Sequence, residues 1–374
     1  MNISFDFNGF STYRNFSNYY SSSRLILDVI LSSSYVLIFL LAIIGNMIVI
    51  GTLVRYRQMW TITNLLLLNL AISDISTAII SIPSTILAYI LRRYVLGGFI
   101  CISQRYFQGV CVAVSMYTLM IISLERYFAI TKPLTSRIWQ TNVHVHKIIT
   151  GIWLVSMIIM IPLAIVNKLQ TLKRVNTYKC EEDWYDNEYL KMIYSIAQMV
   201  ILFVIPLCIM IYCYSMIART LKLASLSIIN QSASEKNKCS SKQRRCLFKS
   251  QNQISSSRNY KTNHVNQKII KMLLIVVVEF FICWSPVFIL NTWLSIDPKT
   301  ATQLISPGVR ISATLISYVS CCCNPITYCF MHDKFRFYLF QSCGCPQATR
   351  TATFSTKLNN RSVAATKSAV NRQK

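Results

Sequence analysis

Apolar residues in this chain gather into seven long runs, separated by short polar and charged stretches. The runs cover residues 31–54, 64–90, 101–130, 147–166, 191–217, 268–293 and 309–331. A helix needs about 20 apolar residues to cross a bilayer core roughly 30 Å thick, and each run meets that length. Strands of a membrane barrel would instead alternate in segments of about ten residues, and no such alternation is seen. The pattern predicts an all-α membrane protein, a seven-transmembrane helix bundle. The third run is long and ends in charge, as a tilted helix would. Beyond the seventh, Asp333 to Phe340 is amphipathic, with Lys334 and Arg336 among Phe335, Phe337 and Tyr338, and predicts a short eighth helix lying on the membrane. Residues 1–30 then form an N-terminal tail, 31–340 the helical domain and 341–374 a C-terminal tail. Residues 218–267, rich in Ser, Asn, Gln, Lys and Arg, read as a disordered loop between spans five and six.

Composition sharpens this picture. The 374 residues are 53% hydrophobic and 14% charged, with a net charge of +25; soluble domains carry about 25% charged residues. A charge of that sign suggests nucleic acid until its placement is considered. Loops and tail on one side of the seven runs hold 23 Lys and Arg against Glu235 and Asp333, while the other side holds 9 basic and 8 acidic residues. Cytoplasmic loops carry the Lys/Arg excess. The chain therefore reads as a multi-pass plasma-membrane protein with its N-terminus outside, its basic face toward anionic lipid, and no nucleic-acid partner. No cleavable signal pattern precedes the first run. Asn2 and Asn15 are glycan acceptors in the external tail. Outside the lipid, only Cys101 and Cys180 face the oxidising side, where a disulfide between them is permitted. Cys343 and Cys345, just past the eighth helix, are candidates for palmitoylation.

Neither a metal-ligand spacing nor a nucleophile–base set is present, so an enzyme is not expected and metal ligands are none. A transporter or channel, the competing class, would show inverted repeats or broken helices with midplane ligands, which the runs lack. Polar groups inside the runs carry the remaining signal, because ionisable side chains within a membrane are costly and mark function. Asp74 lies mid-span in the second run, and Glu125-Arg126-Tyr127 closes the third. Pro206 and Tyr214 lie in the fifth, Cys283-Trp284-Ser285-Pro286 in the sixth, and Asn324-Pro325-Ile326-Thr327-Tyr328 in the seventh.

Together these elements resemble the rhodopsin-type G-protein-coupled receptors over about residues 31–345. The resemblance implies a switch built from Glu125, Arg126, Tyr127, Tyr214, Trp284, Pro286, Asn324, Pro325 and Tyr328, in which span six swings outward. It implies a pocket for an allosteric sodium ion at Asp74, Ser115 and Asn324, weakened by Ser320 where many relatives have asparagine; no other cofactor is expected. Inside, the implied partners are a heterotrimeric G protein of the Gq or Gi type and arrestin. Glu279, in the lower half of span six, stands where the family usually has an apolar residue, and reads first as a protonated acid bonded to a neighbour.

The outer half speaks to the ligand. Gln108 replaces the aspartate of aminergic receptors, and Tyr318 replaces the retinal-binding lysine of opsins. The long polar loop with Lys168, Lys173, Arg174 and Glu181-Glu182-Asp183-Trp184 suits a wet vestibule for a peptide. Ser123 to Ile130, Lys132 to Thr141, Asn291-Thr292-Trp293 and the seventh-run motif are similar to the cholecystokinin/gastrin receptor group. Asn291 matches the residue that holds the peptide's C-terminal amide there. Leu294 replaces an arginine of that group, and Glu181, Glu182 and Asp183 replace a basic patch. With Gln108 and Arg310, these residues form the expected ligand site. The expected ligand is an amidated neuropeptide with Arg or Lys near its C-terminus; the alternative is an acidic cholecystokinin- or sulfakinin-like peptide. Many relatives place an acid for Arg126 at the base of span six, where this chain has Asn266-Gln267-Lys268. We therefore expect ligand-free signalling above that of untransfected cells, measured as basal second-messenger production.

Overall fold

A computed structural model describes residues 8–133, 141–172, 177–185, 187–237, 246–331 and 333–342. Helix α1 runs Asn8–Arg55, α2 Ile62–Leu91, α3 Gly97–Thr131 and α4 Asn142–Val166. A hairpin follows, β1 Asn167–Leu172 against β2 Thr177–Glu182. Helix α5 comprises Glu188–Gln198, a π-helical stretch Met199–Val204 and Ile205–Asn237. Next come α6 Cys246–Ile296, a short helix Pro298–Leu304, α7 Pro307–Met331 and α8 Asp333–Ser342. Among the described residues, six helices are long and apolar enough to cross a membrane alone. The seventh span arises from α7 and the short helix before it, which meet at 91°.

Local chemistry sets several boundaries. Thr61 caps α2 by accepting from Asn64 N at 3.3 Å, and Thr141 caps α4 from His144 N at the same distance. Asp297 caps the short helix through Thr300 N at 3.1 Å, with Pro298 in its first turn. Pro206 has no N–H to give, and the ladder just before it widens: Ile205 N bonds Val200 O, five residues back.

The packing is inverted relative to a soluble protein. Along α1, Leu31, Tyr35, Ile38, Ala42, Asn46, Val49 and Leu53 are buried at three- and four-residue spacing, while Val36, Leu37, Leu40, Leu41, Ile44 and Met47 are exposed. Such a wide exposed apolar surface marks contact with lipid. The polar residues Asn46, Asn69, Ser73, Asp74, Ser115 and Asn324 are instead buried between helices. In hydrocarbon, a polar group must find its partner inside the bundle.

Two expectations change. The membrane-apolar part of α1 starts at Leu25, so the tail is shorter than residues 1–30, and the helix itself reaches back to Asn8. Within 218–267, α5 continues to Asn237 and α6 already begins at Cys246, rather than a disordered loop. Extending an existing helix adds one hydrogen bond per residue without a new nucleus, so polar sequence alone does not stop it. The eighth helix is present, and extends to Ser342.

Close approach of α1 to α7 depends on one glycine. A Cβ at Gly45 would lie 2.9 Å from Pro325 Cβ and 3.1 Å from its Cγ. Neither backbone can yield easily, since the ring is fixed. Overpacking costs about 1–3 kcal/mol. Gly45→Ala is expected to lower the melting temperature of the purified protein in detergent, while Gly51→Ala, which meets nothing within 4 Å, leaves it unchanged.

Candidate functional site

The sites predicted from sequence fall into four tiers along the bundle. In the outermost tier, Cys101 and Cys180 are disulfide-bonded with Cα atoms 5.7 Å apart, tying β2 to the start of α3. The hairpin is antiparallel, with Lys168 opposite Glu181 and Asn167 opposite Glu182. Tyr94 N donates to Tyr178 O at 2.8 Å and Asp183 N to Val166 O at 2.7 Å, fixing its two ends. The loop acids are already engaged: Glu181 pairs with Lys179, Asp183 with Lys168 at 3.1 Å, and Glu182 accepts from Trp184 Nε1 at 2.8 Å. Asp183 is held below the usual carboxylate range, first by the Tyr185 backbone N–H and then by Lys168. Lys179 is shifted below the usual lysine range despite its acidic partner, because burial and then the neighbouring Arg310 oppose its charge. Asn291 is exposed on α6, its carbonyl accepting from Ser295 at 2.9 Å, and Leu294 lies one turn above it.

Below the hairpin, Gln108 Nε2 donates to the Tyr318 hydroxyl at 3.2 Å. That hydroxyl lies 3.2 Å from Thr85 Oγ1, and the Tyr35 ring packs edge-on at 6.0 Å. One fully buried tyrosine thus joins α1, α2, α3 and α7. Trp284 stacks on Phe280 with centroids 5.9 Å apart, and its Nε1 donates to Ser320 Oγ at 3.0 Å.

At mid-membrane, Asn324 Nδ2 donates to Asp74 Oδ2 at 2.8 Å. Ser115 does not bond Asp74 directly; its hydroxyl meets Ser73 Oγ at 2.9 Å. Asn46 Nδ2 donates to Ala42 O and Cys321 O at 2.9 and 2.8 Å. Asn69 accepts from Trp153 Nε1 at 2.9 Å and donates to Thr118 at 2.8 Å, linking α2, α3 and α4. Glu279 accepts from Thr327 at 3.2 Å, the neighbour bond expected for it.

At the inner end, Arg126 is chelated by Glu125, with Nε to Oε2 at 2.5 Å and Nη2 to Oε1 at 2.6 Å. Its Nη2 also donates to Thr63 of α2, which in turn donates to Glu125 at 3.1 Å. Tyr127 packs on Tyr212 at 6.0 Å. Tyr214 and Tyr328 are buried nearby on α5 and α7. Pro286 and Pro325 lie inside α6 and α7.

This succession of tiers fits a single family, and comparison decides it. The model of the 7 transmembrane receptor (rhodopsin family) matches residues 45–328. The chain belongs to that family. Among curated receptors, the cholecystokinin receptor of Xenopus laevis is 33% identical over 336 residues, covering 81% of this chain and 74% of that protein. The cholecystokinin receptor type A of Cavia porcellus is 34% identical, covering 83% and 80%, respectively. The gastrin/cholecystokinin type B receptor of Canis lupus familiaris is 30% identical, covering 84% and 80%. This rhodopsin-family chain is thus a multi-pass membrane receptor rather than an enzyme.

Sequence reading passed over Thr63, Thr85, Asn69 and Thr118. A signal was available: Ser73, Thr77, Ser81 and Thr85 repeat every four residues and form a polar stripe on α2. Asn2, the Asn15 side chain, the side chains of Asn266-Gln267-Lys268, Cys343 and Cys345 lie outside the described residues. Thr63→Val removes one partner of Arg126 and keeps the volume. A net hydrogen bond of about 0.5–1.5 kcal/mol corresponds to roughly a twofold to tenfold rise in basal nucleotide exchange on added G protein. Exchange equal to wild type would reduce Thr63 to a space-filling role.

Proposed function

We propose that this rhodopsin-family receptor binds an amidated neuropeptide in the cavity beneath the β1–β2 hairpin and transmits binding to a heterotrimeric G protein of the Gq or Gi type. The observation that carries this reading is the stacking of polar contacts between helices at successive depths: Gln108 with Tyr318, Trp284 with Ser320, Asn324 with Asp74, and Arg126 with Glu125 and Thr63. The relatives named for cholecystokinin and gastrin support the peptide class. In the resting state, Arg126 is closed on Glu125 and Thr63. Binding opens that pair as α6 swings outward about Pro286, where the helix ladder is interrupted. A ligand drives the change only through its preference for one state; about 5.5 kcal/mol takes 1:99 to 99:1.

The N-terminus is placed outside the plasma membrane, glycosylated at Asn2 and Asn15, with Cys343 and Cys345 palmitoylated and the tail open to arrestin. The basic inner face meets anionic lipid. Asp74, Ser115 and Asn324 supply a carboxylate and neutral oxygens, a donor set that fits sodium, and a bound ion would favour the resting state.

A second reading concerns the charge of the peptide. An Arg- or Lys-bearing ligand needs free acids, yet Glu181, Glu182 and Asp183 have partners within the hairpin. Arg310 beside Lys179, and Arg105 within electrostatic reach of Tyr94 and Tyr318, leave the cavity positive. This favours the acidic alternative. The test is a panel of amidated peptides, acidic and basic, applied to expressing cells with calcium and cyclic-nucleotide readouts. An active amide should lose about tenfold or more in potency as its free acid, a difference of about 1.4 kcal/mol, and Asn291→Ala should erase that difference. Arg310→Glu should weaken acidic peptides and favour basic ones. Equal potency of amide and acid would overturn the assignment of Asn291.

A further inference from the structure

Helices α6 and α7 run antiparallel, and their facing side chains meet in register. Thr327 donates to Glu279 at 3.2 Å, and Trp284 donates to Ser320 at 3.0 Å. Between these two contacts, one turn outward from Glu279 is Cys283, and one turn outward from Thr327 is Cys323. Antiparallel helices keep such i+4 and j−4 positions opposed. The register sets the two thiols facing each other between those contacts, with Glu279 within electrostatic reach of both. Neither is in a disulfide. Cys283 is buried, while Cys323 is only half-buried. Each immediately precedes a switch residue, Trp284 on α6 and Asn324 on α7.

We propose that Cys283 and Cys323 form a redox-sensitive dithiol, and that its oxidation by a lipid hydroperoxide ties α6 to α7 and holds the receptor at rest. Lipid hydroperoxides arise within the bilayer that surrounds these helices. The more accessible thiol, Cys323, attacks the terminal hydroperoxide oxygen. The O–O bond breaks, the thiol proton passes to the departing lipid alkoxide, which leaves as an alcohol, and Cys323 becomes a sulfenic acid. The Cys283 sulfur then displaces the hydroxyl as water, forming the S–S bond. In sum, two thiols and one hydroperoxide give one disulfide, one alcohol and one water. Two electrons pass from sulfur to oxygen. The cross-link itself follows from the helix register alone; its effect on signalling rests on reading α6 as the moving helix.

The test uses the full-length receptor in phosphatidylcholine nanodiscs, treated with linoleic acid hydroperoxide. Alkylation, digestion and mass spectrometry should reveal one linked peptide containing Cys283 and Cys323, reversed by a phosphine reductant and absent from Cys323→Ser. Basal nucleotide exchange on added G protein should fall on oxidation of wild type and stay constant in Cys323→Ser. Free alkylation of both thiols after treatment, or linkage to Cys322 instead, would overturn the dithiol. A linked peptide with unchanged exchange would overturn the lock. If G-protein coupling itself were misassigned, exchange would be absent before oxidation while the linked peptide still formed. Should Cys323→Ser fold poorly, Cys323→Ala under the same protocol keeps the comparison.

Discussion

A carboxyl group placed in the middle of a lipid bilayer has no water to turn to, and the arrangement of the inner helices follows from where Asp74 finds its partner. Leaving it unsatisfied in hydrocarbon would cost several kcal/mol. Asn324 on α7 supplies the donor at 2.8 Å. That single contact fixes the register of α7 against α2, and the register places Cys321 O where Asn46 of α1 can reach it at 2.8 Å. It also sets Pro325 against Gly45, so close that no side chain fits between. Three helices are thereby locked in height by hydrogen bonds, while apolar packing, which is nearly indifferent to sliding within lipid, fills the gaps.

At the outer end the same logic applies with water available. The disulfide Cys101–Cys180 holds the hairpin over α3, and local pairs then satisfy its acids within the loop. Such exposed ion pairs contribute little to stability, of the order of 0–1 kcal/mol. Their effect is to occupy Glu181 and Asp183 with Lys179 and Lys168 inside the loop. The acids of the loop are thus spent on partners within it.

How much could be read in advance follows from the range of each interaction. The seven spans were legible because apolar run length is a local property that the bilayer thickness converts directly into a helix. Arg126, Asp74, Trp284 and Asn324 were legible because charge or a ring NH inside such a run needs a partner, whatever the fold. Which partner was not. Thr63 reaches Arg126 from 63 residues away, and Thr85 reaches Tyr318 from 233, distances over which sequence periodicity says nothing. The hairpin was hidden too, since Asn167–Leu172 and Thr177–Glu182 are polar strands whose pairing depends on the disulfide and on Tyr94. The partners of the loop acids were hidden for the same reason: composition counts acids, but only geometry shows what each one meets.

The restraint on α6 lies mainly along its midsection. Glu279, Cys283 and Trp284 all face α7, meeting Thr327, Cys323 and Ser320 in sequence. Arg126, in contrast, is held by α2 and its own helix. These contacts fasten α6 to α7 close to Pro286, away from the inner ion pair. Outward from Ser320 on α7 lies Tyr318, whose hydroxyl accepts from Gln108. The acid at Glu279 then gains a role that an apolar residue could not fill: it makes the contact directional, so that separation of the two helices costs a hydrogen bond and the resting state is a distinct well rather than one end of a continuum.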